Sequence, residues 1–169
     1  DMTYAREVRE NILDQNENEF TLDSTEADDD IEAQIIVVDN DILHTNDTGM
    51  TIRGTNLGNG NDVRVEFRRN RVGPTESEGV EISSFFFDGN SDRRLTEPAE
   101  PTTGVGASLT VIIAENRGDS LDELVEVNVP NYPEGSIDVQ VVDNISLRDN
   151  GDCVDIDVEG SSSPFTPED

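Results

Sequence analysis

From residue 33 to residue 158, apolar side chains recur again and again at every second position, and a two-residue period is the signature of strands. It is clearest at Val63, Val65 and Phe67, at Val125, Val127 and Val129, and at Val154, Ile156 and Val158, with polar residues between. A pleated strand sends alternate side chains to opposite faces, so each run predicts one face on a core and one in water. Seventeen valines and twelve isoleucines supply the β-branched content that suits a pleated surface. Strands are expected at 33–39, 49–55, 62–68, 79–87, 107–114, 123–129, 136–142, 144–148 and 153–158. Asn59-Gly60, Asp88-Gly89 and Asn150-Gly151 mark turns between them. Antiparallel sheets are the usual ones with a wet face, so the expected fold is all-β, an immunoglobulin-like antiparallel β-sandwich. No internal repeat stands out.

The N-terminal block reads differently. Residues 1–34 hold twelve acids against two arginines, a net charge of −10. Thr3 can cap a short helix running to about Gln15, with Tyr4, Val8 and Ile12 or Leu13 as a narrow apolar stripe. Asp23 to Asp30 reads as a solvated acidic linker. The expected division is an acidic arm with a short helix at 1–34, a sandwich domain at 35–159 and a low-complexity tail at 160–169. Residues 88–106 form a long irregular connection, of a length that compact domains keep for function or leave disordered.

Charge bounds the function. The chain carries −28, from 39 acids and 11 bases, and every base is arginine. Such a field opposes a phosphate backbone, so nucleic acid is not an expected partner. No run of 18 apolar residues exists, so no membrane-spanning helix is expected. No basic and apolar leader is visible, and Asp1 is not an initiator, so either the chain is trimmed or Met2 is its start. Disorder is opposed by 44 residues of Leu, Ile, Val and Phe, and by their patterning. At about 1 M salt the screening length is roughly 3 Å, which quenches acidic self-repulsion almost to contact. Loss of lysine alongside 21 Asp and 18 Glu resembles proteins of haloarchaea and their viruses. A high-salt setting in a virion, or at the cell surface or exterior of a haloarchaeon, is the localisation this implies.

Residues 49–67, GMTIRGTNLGNGNDVRVEF, resemble the opening of the IPT/TIG immunoglobulin-like family. Thr51-Ile52-Arg53 leads into Gly54-Thr55-Asn56-Leu57-Gly58, and Asp62 to Phe67 supply an alternating strand. Val129-Pro130, Glu134-Gly135-Ser136 and residues 137–142 look like the closing hairpin, so the resemblance covers 35–148. The insertion at 88–106 and the arginine-dense strand end at 67–71 depart from the family. Members of that family serve mostly as spacers, adhesion domains and partner-binding modules, so the resemblance implies contact rather than chemistry. A competing α+β arrangement, with helix 3–15 packed on a sheet, resembles small joining or tail proteins of tailed viruses.

Catalytic groups are sparse. His44 is the sole histidine and no GxSxG elbow accompanies any serine. Zinc would need several Cys or His ligands, and His44 and Cys153 are the only two such residues. Phosphate-loop motifs are absent. No catalytic residues and no obligatory cofactor are expected. Asp88, Asn90 and Asp92 have the alternating oxygen spacing of a calcium loop, but Arg93 and Ala99 stand where that loop needs Gly and Glu. Asp39 with Asp41, or Asp155 with Asp157, could add ligands. The sequons at Asn46 and Asn144 match what chance supplies.

The arginines are the more specific feature. Arg53, Arg64, Arg68, Arg69 and Arg71 fall within nineteen residues, opposed only by Asp62 and Glu66. That window is +3 inside a chain of −28. Guanidinium forks pair carboxylates bidentately, so these five residues are the expected contact with an acidic face of another subunit. The sequence thus points to a non-enzymatic structural or assembly protein of a halophilic particle, such as a capsid decoration, turret or tail/neck protein. A haloarchaeal cell-surface binding module is the alternative, and the expected partners are protein subunits in a homo-oligomer or neighbours in a virion.

Overall fold

A computed structural model describes residues 2–14, 18–23, 31–43, 48–55, 60–83, 85, 106–120, 122–130, 135–147 and 153–159. The chain visits three sheets in turn and does so five times. The first circuit is β1 (Met2–Arg9), β2 (Ile12–Asp14) and β3 (Asn18–Asp23), and the second is β4 (Ile31–Val38), β5 (Asp41–Leu43) and β6 (Met50–Thr55). The third is β7 (Asp62–Arg68), β8 (Arg71–Thr75) and β9 (Val80–Ser83), and the fourth is β10 (Ser108–Ala114), β11 (Arg117–Ser120) and β12 (Val125–Pro130). The fifth is β13 (Ser136–Val142), β14 (Ile145–Ser146) and β15 (Val154–Glu159). Sheet A has the order β1-β4-β7-β10-β13, sheet B β14-β11-β8-β5-β2 and sheet C β15-β12-β9-β6-β3. Each strand pairs in parallel with the strand three further along the chain. The molecule is a five-coil parallel β-helix, a solenoid in which every coil rests only on its neighbours.

This overturns the immunoglobulin-like antiparallel β-sandwich. No helix occurs among the described residues, and all twelve strand pairings are parallel. Parallel sheets are usually covered on both faces, which is why alternation pointed elsewhere. A solenoid escapes that rule by wrapping three sheets around its own core, leaving every outer face wet. The helix expected over Thr3–Gln15 is also corrected, since Met2–Arg9 is strand β1, in register with β4. Tyr4 and Val8 are four apart, a spacing that suits a helix face and a strand face equally. Register settles the choice, placing Tyr4 beside Ala33 and Val8 beside Val37. Residues 49–67 run from β6 in sheet C into β7 in sheet A.

In-register stacking makes the core a set of columns. Ala33, Val63, Leu109 and Ile137 form one, Ile35, Val65, Val111 and Val139 the next, and Val37, Phe67, Ile113 and Val141 the third. Sheet C adds the columns Met50–Val80–Val125–Val154 and Ile52–Ile82–Val127–Ile156. Members in the second, third and fourth coils are buried, whereas Val141 and Ile156 of the fifth are 43 % exposed. Cys153, a free thiol, packs half-buried against the same core.

The corners need special backbone. Between sheets C and A the chain turns through Gly60 and Gly106, at φ of 71° and 66°, which suits residues without a Cβ. Between sheets B and C it passes Gly49 and Gly79, where a Cβ would lie 2.5 Å from the carbonyl oxygens of Gly79 and Leu124 respectively.

Candidate functional site

The corner between sheets A and B carries the same device in every coil. A charged residue takes a left-handed conformation, at Glu10, Asp39, Arg69, Glu115 and Asp143, with φ between 52° and 58°. An asparagine follows each one: Asn11, Asn40, Asn70, Asn116 and Asn144. The Asn40 Oδ1 accepts from the Asn11 backbone N–H at 3.1 Å, and Asn70 Oδ1 accepts from the Asn40 N–H at 3.0 Å. Asn116 Oδ1 accepts from Asn70 at 2.9 Å, and Asn144 Oδ1 from Asn116 at 3.1 Å. The amide nitrogens donate the other way, to the carbonyls of Val8, Val37, Phe67 and Ile113, all at 2.9–3.0 Å. A buried polar group must be hydrogen-bonded, and the primary amide, a donor and an acceptor at once, satisfies its neighbours in both directions. Asn40, Asn70 and Asn116 are buried within this ladder.

That geometry also bears on the sequon at Asn144. Its Nδ2, the atom a glycan would occupy, donates to the Ile113 carbonyl at 2.9 Å. Asn46 and His44 lie outside the described residues, as do the calcium-loop candidates Asp88, Asn90 and Asp92.

The arginine window is distributed over the three sheets. Arg64 and Arg68 lie on the outer face of sheet A, where they flank Glu66 two residues away on the same strand. Arg64 Nε donates to Glu66 Oε1 at 2.5 Å, and Arg68 Nη2 donates to Oε2. Ile36 and Ile112 sit in register on either side of Glu66, whose side chain is 8 % exposed beside the two guanidinium arms. Arg69 occupies the left-handed corner position, and its Nε and Nη2 clasp Asp39 at 2.8 and 3.0 Å. Arg9 reaches the same carboxylate at 3.3 Å, giving a chain of charges across three coils. The hydrogen bond from Arg69 holds the Asp39 carboxyl below its usual range. Arg53 stands on β6 in sheet C and Arg71 on β8 in sheet B, in register with Asp41 and Arg117. Arg64 and Arg68 are thus brought together on Glu66, Arg69 pairs separately with Asp39, and Arg53 and Arg71 lie on other sheets.

Sheet C carries the opposite arrangement. Glu81, Glu126 and Asp155 fall in register on its outer face, one above another. Burial pushes the Glu126 carboxyl up, and the charges of Glu78, Glu81, Glu123 and Asp155 add to the rise. At the adjoining corner, carboxylate oxygens of Glu78, Asp122 and Glu123 lie within 4.8 Å of one another. Burial opposes ionisation of Glu78, but hydrogen bonds from the Ser77 and Thr48 hydroxyls, both at 2.7 Å, outweigh it and its carboxyl is lowered. Glu123 shifts upward, chiefly through burial. These three are the described carboxylates best placed to hold a cation. Sequence reasoning passed over them because residue 78 meets residues 122–123 only through the solenoid, where Gly79 N–H donates to the Glu123 carbonyl at 2.8 Å. Asp155 and Asp157 are exposed on β15, and Asp39 is already bound to arginine.

Comparison with protein families, curated proteins and solved structures returns no match. No helix among the described residues is long and apolar enough to cross a membrane.

Proposed function

We propose that this chain is a structural, contact-making element that works in molar salt, a rigid strut whose partners are protein surfaces. The observation that carries this reading is the amide ladder through all five coils. Buried hydrogen-bonded rungs lock each coil on the next, which suits an element whose task is to hold shape. The solvent assignment draws on the −28 charge, the absence of lysine and the carboxylate column of sheet C, all of which favour screening by concentrated salt. A virion of a haloarchaeal virus is the setting we favour.

Carboxylate-directed cross-linking of the protein in its native high-salt source, read by mass spectrometry, tests the proposal. The expected result is stoichiometric linkage to a repeating particle subunit or to copies of this chain. Recovery as an unlinked monomer, or linkage to a metabolic enzyme, would overturn it.

A further inference from the structure

Two arginines stand apart from the others. Arg9, Arg64, Arg68 and Arg69 each hold a carboxylate of their own chain. Arg71 on β8 and Arg117 on β11 are exposed neighbours in register on the outer face of sheet B, and among the described residues neither makes an ion pair. Like charges side by side on a sheet repel, and a carboxylate between them is the usual remedy. Here a chain with 39 acids leaves two adjacent guanidinium groups without one. The outer face of sheet B carries them in the column Asp41–Arg71–Arg117–Ile145. The outer face of sheet C carries the column Thr51–Glu81–Glu126–Asp155. Both columns run from the second coil to the fifth, so each advances by one strand spacing, about 4.8 Å, per residue.

We propose that sheet B of one molecule docks side by side on sheet C of a second copy, so that Arg71 and Arg117 clasp Glu81 and Glu126. The proposal rests on the contact-making reading above and names the partner. A copy fits better than an unrelated acidic segment because its carboxylates repeat at the interval of the guanidinium pair, both set by the rise of one solenoid. Planar guanidinium forks pair carboxylates bidentately, which turns matched spacing into matched hydrogen bonds. Glu126 already lies among Glu78, Glu81, Glu123 and Asp155, whose charges oppose its ionisation, so an incoming cation relieves crowding there. The contact uses lateral faces only and is independent of what meets either end of the solenoid.

The charges also select the orientation. With solenoid axes parallel and no axial offset, Asp41 meets Thr51, Arg71 meets Glu81 and Arg117 meets Glu126, and only Ile145 against Asp155 is unmatched. Antiparallel axes keep the two ion pairs but set Asp41 against Asp155, two carboxylates. The joint is heterologous, since it joins two different faces, and its repetition carries association beyond a dimer. Two chains of −28 repel at long range, so the contact forms in molar KCl, where screening reaches almost to contact and leaves pairs at bonding distance in place.

Sedimentation velocity on the purified chain in molar KCl, with charge-reversed variants, tests this. One variant carries Arg71→Glu and Arg117→Glu, the other Glu81→Arg and Glu126→Arg, and circular dichroism checks that each keeps the strand signal. The unaltered chain is expected to show a weight-average mass that climbs with concentration beyond a dimer. Each reversed variant alone is expected to stay monomeric, because its sheets B and C then carry like charges. Their equimolar mixture is expected to recover association, since each reversed face finds its complement on the other variant. The milder double change Arg71→Gln and Arg117→Gln, at two exposed positions, is expected to lose association as well, and it decides the matter where a reversal unfolds the chain. Monomer from the unaltered chain at every concentration, undiminished association in the Gln variant, or no recovery from a mixture of folded reversed variants would overturn the docking. Cross-links to another repeating subunit, without self-association, would leave the contact-making reading standing and remove only this one.

Discussion

Two vertical stacks run through this molecule, one of amides and one of carboxylates, and they behave oppositely. At the corner between sheets A and B, Asn11, Asn40, Asn70, Asn116 and Asn144 bond each to the next. On sheet C, Glu81, Glu126 and Asp155 share the same register and repel. A primary amide carries donor and acceptor together, so identical copies satisfy one another without limit. An ionised carboxylate carries acceptors only, so identical copies need protons, cations or arginine between them. Sheet A illustrates the last remedy, since Glu66 is buried but bracketed by Arg64 and Arg68. Parallel in-register stacking therefore magnifies whatever a side chain does to its own kind.

The strongest way to break the contrast is to write a carboxylate into the ladder. Asn116→Asp removes the donor to the Phe67 carbonyl and sets a charge against Asn144 Oδ1. Stranding two buried groups at about 1–3 kcal/mol each predicts a loss of roughly 3–5 kcal/mol in urea unfolding. A loss below about 1 kcal/mol would mean that the rungs are not structural. The reverse change, Glu126→Gln, relieves the carboxylate column. Cross-strand like-charge pairs cost a few tenths to about 1 kcal/mol, so stability at low salt should rise by roughly 0.5–1 kcal/mol. The gain should shrink in molar KCl, because screening already supplies it.

Acid separates the two regions more gently. The folded values of Glu123 and Glu126 lie above the ordinary 4.5, so the folded chain binds those protons more tightly than the unfolded chain does. Stability at low salt should therefore climb as pH falls through the raised folded values towards 4.5. Asp39 lies below its ordinary 3.8, so its contribution is present above that value and lost as pH falls through the lowered folded one. A urea-midpoint profile should show a shallow maximum, with its upper limb flattened by Glu126→Gln and its lower limb by Asp39→Asn. A profile unchanged by either substitution would refute both assignments.

Much of the secondary structure was legible in the sequence and almost none of its pairing was. The runs expected at 33–39, 62–68, 107–114, 136–142 and 153–158 coincide with β4, β7, β10, β13 and β15 to within two residues at either end. Alternation reports that one face is wet, which a sandwich and a solenoid share, so it could not choose between them. The short strands β2, β5, β8, β11 and β14 hold two to five residues, too few for a period to show, and of these only β14 lies in an expected strand, 144–148. The repeat was hidden in a two-letter signal, a charged residue followed by asparagine. It recurs at Asn11, Asn40 and Asn70, is displaced by the long connection, and resumes at Asn116 and Asn144. The candidate site was harder still. Arg64 and Arg68 were seen, but nothing local reveals that Glu66 is their shared partner or that Glu78 meets Asp122 and Glu123.

The long connection has a consequence of its own. Successive ladder asparagines are 28 to 30 residues apart except between Asn70 and Asn116, yet β10 re-enters sheet A with Ser108 beside Asp62, in unbroken register. Chain added there costs only logarithmically in closure entropy, because both ends are already pinned by neighbouring coils. The corner between sheets C and A is thus where this architecture accepts new text, a graft point at which a binding loop or reporter peptide could be lengthened or exchanged while the barrel of columns beneath it keeps its count.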